Sequence, residues 1–186
     1  MHINNEIMGI IEEALNKARD TKALIIGEGS IERTGEMFRM LFPDKKAFIV
    51  ADMNTWRVAG KAAEESLKAY GIITEDAFIF TDPGLHAEWS YVEELQNHMK
   101  STEAIAVAVG SGVINDITKY VSHTSGRRYI CVGSAASMDG FTAYGASITI
   151  DGNKQTLDCP APLGFVMDPI IAADAPSELA ASGYAD

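Results

Sequence analysis

The stretch from Ala104 to Gly140 constrains the fold more than any other part of the chain. An apolar run, Ile105 to Val109, stops abruptly at Gly110-Ser111-Gly112. A segment of helical period follows, with Ile114, Ile117 and Val121 on one side. A second apolar run, Tyr129 to Val132, ends in another small-residue turn, Gly133 to Ser137. The order is therefore strand, glycine turn, helix, strand, turn. A parallel βαβ unit places both turns at the carboxyl edge of a sheet, where α/β folds bind ligands. Glycines at a helix start expose backbone N–H groups to an anion, and the helix dipole is positive there. A lone G-x-G can equally be no more than a tight turn. Here the hydroxyls of Ser134 and Ser137 and the carboxylate of Asp139 gather at the same edge.

The rest of the chain repeats the alternation. Asn4 or Asn5 can cap a first helix reaching about Arg19, with Ile7, Ile10, Ile11, Ala14 and Leu15 on its apolar face. Strands are expected at Ala23 to Ile26, Ala47 to Val50 and Ala77 to Phe80, with helices running towards Phe42, Tyr70 and Met99. After the first strand, Gly27-Glu28-Gly29-Ser30 imitates a dinucleotide fingerprint but carries Glu32 at the third glycine position. Asp52 closes the second strand, where it can accept hydrogen bonds from an adenosine ribose or cap the next helix. Beyond Gly140, Ala146 to Ile150 and Gln155 to Leu157 flank Asp151-Gly152, a hairpin signal. Gly164 to Met167 reads as a last strand; Asp168-Pro169 and then Pro176 open two short helices. The fold class is α/β, a Rossmann-like doubly wound parallel sheet with a late β-hairpin.

Charge excludes some partners. At a formal -11 over 186 residues, the chain would not be attracted to nucleic acid or an anionic membrane. A phosphorylated metabolite is still compatible, because local N–H groups can hold it. The length suits one domain and the start of another. Cys131 and Cys159 form no disulfide framework or C-x-x-C site. No apolar run approaches a membrane span and the N-terminus is not signal-like, so a cytoplasmic protein is expected. The four histidines, His2, His86, His98 and His123, have no metal-binding spacing. Asp116 and Lys119 lie one helical turn apart and can be read as a surface ion pair.

G-S-G-V-I-N-D-I-T-K over 110–119, followed by S-A-A-S-M-D-G-F over 134–141, resembles the glycerol-1-phosphate dehydrogenases. These belong with glycerol dehydrogenases, iron-containing alcohol dehydrogenases and dehydroquinate synthases, whose versions read roughly G-G-G-T-I-N-D and P-T-A-P-S-M-D-G. The resemblance implies an NAD(P)-dependent, metal-dependent enzyme of phospholipid metabolism interconverting dihydroxyacetone phosphate and sn-glycerol 1-phosphate. It also implies NAD(H) or NADP(H) as cofactor, a divalent metal (zinc or nickel), a phosphorylated polyol as small-molecule partner and a homo-oligomer. It assigns cofactor binding to Asp52, Gly110, Ser111, Gly112, Val113, Ile114, Asn115, Asp116, Ser134 and Ser137, and substrate contact to Asp139. Asp186, in A-S-G-Y-A-D, falls on the family's metal-ligating aspartate. Two histidines from a helical second domain complete that site in the family. Residues 1–168 are expected to form the nucleotide domain, and 169–186 the start of the helical one. Without the histidines the chain is expected to be inactive as it stands. Ser111 for glycine, Gly133-Ser134 for Pro-Thr, and Ala143 for serine suggest altered nucleotide binding. The alternatives are a glycerol dehydrogenase or a stand-alone, non-catalytic nucleotide-binding module. A continuation past Asp186 with two well-spaced histidines would favour the enzyme, and a stop there the module.

Overall fold

The computed structural model describes residues 5–185. Six strands form one parallel sheet: β1 (Ala23–Ile26), β2 (Ala47–Asp52), β3 (Phe78–Phe80), β4 (Ile105–Gly110), β5 (Ile130–Gly133) and β8 (Gly164–Met167). Their spatial order is β1-β8-β5-β4-β2-β3. The remaining two, β6 (Ala146–Ile150) and β7 (Asn153–Leu157), make a separate antiparallel hairpin. Asp151 and Gly152 both have positive φ at its tip, as a two-residue turn of type I′ requires.

Alternation along the central strands explains the layers. Ala47, Ile49 and Ala51 enter one core, together with Val107 and Val109, while Phe48 and Val50 enter the other. A strand buried on both faces must be apolar at every position, which is why β2 and β4 read as continuous hydrophobic runs. The first core is covered by α2 (Thr34–Leu41) and α4 (Lys61–Ala69). The second is covered by α5 (Trp89–Met99), α6 (Gly112–Thr124) and the inner side of the hairpin, where Ile148 is fully buried. The sheet is thus doubly wound, as expected.

Two helix boundaries differ from the sequence reading. α1 ends at Lys17 rather than Arg19, and Ile10, placed on its apolar face, is 63% exposed. Ile11, Ala14 and Leu15 of the same helix do line a small apolar hollow against Leu24. The helix after β2 begins at once, as α3 (Met53–Thr55), and passes through a π-helical stretch, Trp56–Gly60, into α4. At that stretch the Trp56 ring lies against Gly60: a Cβ there would stand 2.6 Å from Cε3 of the indole. After β8 come α7 (Pro169–Ala173) and α8 (Ser177–Ala185), both opened where proline signalled them.

Strand order fixes where a ligand can enter. From β2 the chain crosses outward to β3, whereas from β4 it crosses the other way, to β5. The two helices leave in opposite directions, so the carboxyl ends of β2 and β4 flank a crevice, the topological switch point of the sheet.

Candidate functional site

Two clefts open at that switch point, on either side of a ridge formed by Asp52, Asn54 and Ser111. The larger, about 570 Å³, runs past Thr55, Ser134 and Ala135 to a wall of Ile171 from α7, Leu179 from α8 and Pro176 between them. The smaller, about 440 Å³, is lined by Arg57, Thr81, Asp82 and Val113.

Asp52 serves as the N-cap of α3. Its Oδ1 accepts from Asn54 N–H at 2.7 Å and from Thr55 N–H at 2.9 Å, and Thr55 Oγ1 accepts in return from Asp52 N–H at 3.0 Å. The capping role that the sequence left open is therefore present. It engages one carboxylate oxygen, and Asp52 still lines both clefts. Capping and ribose binding are compatible in this geometry. Replacing Asp52 with asparagine, itself a strong cap, should leave thermal stability nearly unchanged. Asp52→Ala should cost about 1 kcal/mol. Both should narrow any preference for NADH over NADPH, because a carboxylate repels a 2′-phosphate. An unchanged preference in both variants would remove Asp52 from the site.

The glycine turn is built by close packing, not by backbone strain. A Cβ on Gly110 would stand 2.6 Å from Cγ1 of Ile114, and one on Gly112 would stand 2.8 Å from Sδ of Met138. Gly110 pairs with Gly133 across β4 and β5, and its carbonyl accepts from Ser134 N–H at 3.0 Å. The two turns are thereby locked side by side. Ser111 is the N-cap residue of α6 but makes no capping bond with its side chain. Gly112 N–H donates to Ser137 Oγ at 3.2 Å. Ser137 thus reaches the turn, and it holds the amide that a phosphate oxygen would otherwise take. α8 backs this loop: a Cβ on Gly183 would collide with the carbonyl of Ala136.

Further along α6 the assigned residues leave the clefts. Ile114 is fully buried in the core. Asn115 is also fully buried; its Oδ1 accepts from the Tyr129 hydroxyl at 2.8 Å, and its Nδ2 lies 3.5 Å from the Phe141 carbonyl. Burial pushes the Tyr129 hydroxyl well above the usual phenol range. Asp116 faces the hairpin, where Oδ2 accepts from Ser147 N–H at 3.2 Å and Oδ1 lies 3.6 Å from Lys119 Nζ. Its reading as half of a surface ion pair is corrected here: the Lys119 side chain is only 1% exposed. Lys119 also donates to the carbonyls of Ala143 (3.1 Å) and Gly145 (2.9 Å), tying the loop before the hairpin to α6. Burial raises the Asp116 carboxyl above its ordinary range, and the lysine charge and the Ser147 N–H oppose that rise.

Asp139 is exposed at the start of a short 3₁₀ turn, Gly140–Thr142, and makes no capping bond there. Asp186 lies outside the described residues. Sequence reasoning missed Asp168 as a link between loops. Only 6% exposed, it accepts from Gly29 N–H at 2.7 Å and from Ile170 N–H at 2.9 Å, joining the β1 loop to α7. The Asp-Pro signal found its cap but could not reveal the contact with Gly29. At the smaller cleft, Tyr91 donates its hydroxyl to Asp82 Oδ2 at 2.6 Å. That bond, with Gly84 N–H as a second donor, lowers the Asp82 carboxyl and raises the Tyr91 hydroxyl to about 12.

The profile for iron-containing alcohol dehydrogenases matches residues 25–176. The chain belongs to that family. Among curated proteins, the glycerol-1-phosphate dehydrogenase [NAD(P)+] of Bacillus velezensis is 33% identical over 170 residues, which is 88% of this chain and 42% of that protein. The enzyme of the same name from Methanothermobacter thermautotrophicus is 32% identical over 165 residues, 89% of this chain and 46% of that protein. The chain therefore spans under half the length of these dehydrogenases. Among solved structures, the NADH-dependent butanol dehydrogenase A of Thermotoga maritima superposes with a TM-score of 0.77 at 19% identity, over 91% of this chain and 48% of that one. A glycerol dehydrogenase from Schizosaccharomyces pombe gives 0.72 at 21%, over 87% and 41%. At such identities these structures speak for the fold. This half of the dehydrogenase fold contains, among the described residues, no group of three or more His, Cys, Asp or Glu able to hold a metal ion. Among the same residues no helix is long and apolar enough to cross a membrane.

Proposed function

We propose that this chain is the nucleotide-binding part of an NAD(P)-dependent glycerol-1-phosphate dehydrogenase. Such an enzyme interconverts dihydroxyacetone phosphate and sn-glycerol 1-phosphate. The observation that carries the reading is the crevice between β2 and β4, where Asp52 ends one strand and Gly110-Ser111-Gly112 ends the other. The glycerol-1-phosphate dehydrogenases above 30% identity support the choice of substrate.

The residues present fit a dinucleotide. Asp52 offers an oxygen to the adenosine ribose, and the first-turn amides of α6 after Gly112, whose own N–H is held by Ser137, serve the pyrophosphate together with the Ser111 and Ser134 hydroxyls. The absence of Cβ atoms at Gly110 and Gly112 lets backbone and helix approach each other closely. When bound, the nicotinamide supplies or accepts the hydride. The described residues do not furnish a metal site. The zinc or nickel of the proposed enzyme would need ligands in addition to Asp186.

The full-length gene product, assayed with NADH and with either dihydroxyacetone phosphate or dihydroxyacetone, tests the reading. Reduction of the phosphorylated ketone is expected; activity on the unphosphorylated one alone would make the protein a glycerol dehydrogenase. The two aspartates assigned to chemistry should separate in the same enzyme. Asp186→Ala should abolish metal content and activity together. Asp139→Ala should leave the metal bound and lower kcat/KM by about 1.5–3 kcal/mol of transition-state binding, if its bond to the substrate is charge-assisted. Equal loss of metal from both variants would make Asp139 a ligand instead.

A further inference from the structure

The smaller cleft carries a cation that the nucleotide assignment leaves unused. Arg57 stands one helical turn beyond the Asp52 cap, in the π-helical stretch, and lines the same 440 Å³ cleft as Asp52 and Asn54. Its side chain is exposed yet fastened: Nε donates to the Met53 carbonyl at 3.0 Å, and Nη2 lies 3.5 Å from Asn54 Oδ1. A guanidinium has five N–H donors in a planar fork, so several remain without a partner among the described residues. Its surroundings are otherwise acidic, because Asp52 and Asp82 line the cleft beside it.

Resting on the nucleotide reading above, we propose that Arg57 is the specificity-determining residue that admits a 2′-phosphate, and hence NADP(H), to this site. Asp52 marks the ribose position, and a phosphate on the 2′-oxygen would sit beside its carboxylate and be repelled. A fixed guanidinium at the lip of the same cleft supplies the opposing charge and a bidentate fork matched to phosphate. The pairing of Asp52 with Arg57 would let one site take both cofactors. Asp52 bonds the free hydroxyl of NAD(H), and Arg57 bonds the phosphate of NADP(H).

The test uses the chain itself and two probes that differ by a single phosphate, adenosine 5′-monophosphate and adenosine 2′,5′-bisphosphate, titrated by calorimetry. Arg57→Ala should weaken the bisphosphate by about tenfold, the order of one charge-assisted phosphate contact. The monophosphate should stay within about twofold, which also shows that the variant is folded. Arg57→Lys should recover part of the loss, keeping the charge without the fork. Equal weakening of both probes, or no change in either, would overturn the role of Arg57 while leaving the nucleotide site standing. If the unmodified chain binds neither probe, the nucleotide reading fails and this proposal fails with it.

Discussion

Replacing Lys119 with methionine should destabilise the chain by about 3 kcal/mol, because breaking a buried pair leaves an uncompensated charge in the interior. Lys119 satisfies Asp116 and the carbonyls of Ala143 and Gly145 at once, and methionine offers nothing to any of them. The loss should depend on pH with a definite sign. The folded-state pKa of Asp116 is already raised, first by burial. A carboxyl raised in this way favours the folded state below its unfolded pKa of about 3.9, and that contribution is lost as the pH climbs through the folded value. Without the lysine charge the rise should be larger. The deficit of the variant should therefore be widest near neutrality and shrink as the pH is lowered towards about 4. Urea denaturation of both proteins across that range measures it. A deficit independent of pH would mean that Asp116 does not carry the effect, and one under about 1 kcal/mol would return the pair to the class of surface ion pairs.

Gly110→Ala is the second large effect expected. The added Cβ would meet Ile114 at 2.6–2.7 Å, at its Cγ1 and Cβ atoms. Ile114 is wholly buried and cannot swing away. The first turn of α6 must instead move off the end of β4, which overpacking data place at about 1–3 kcal/mol of stability. Displacing that turn also displaces the amides assigned to the pyrophosphate, so NADH affinity should fall by at least about tenfold. Thermal melting and NADH titration on the same variant read the two consequences separately. A stable variant that binds NADH normally would contradict the role given to this turn.

Much of this architecture was legible in the residues, for reasons that can be named. β2 from Ala47 to Ala51 and β4 from Ile105 to Val109 are apolar at every position because both sheet faces are covered, and Asp151-Gly152 fixed the hairpin turn. The spatial order of the strands was not legible. Nothing local to β2 or β8 says that β8 inserts between β1 and β5, a consequence of how the crossovers pack. The candidate site divided along the same line. Asp52, Ser111 and Ser134, at strand ends, reach the crevice, because topology carries strand ends there. Asn115 and Asp116 share a motif with Gly112, but a helix turns about 100° per residue. They point to Tyr129 and to the hairpin. Lys119 and Asp116 looked like surface residues because helical spacing gives no sign that a hairpin from 146–157 will cover them. Arg57 and the bond from Gly29 to Asp168 escaped notice because they depend on a π-helical stretch and on a contact between residues 139 apart in sequence.

The central claim is that the crevice between β2 and β4 holds the nucleotide, and chemical-shift mapping by ¹⁵N NMR during an NADH titration tests it most directly. Saturable shifts are predicted at Asn54, Thr55, Ser111, Gly112 and Ser134, on both sides of the switch point. The opposite edge of the sheet provides the contrast, where a cavity of about 500 Å³ is lined by Arg39, Lys45 and Tyr70. Saturable shifts confined to that edge, or none anywhere, would contradict the account.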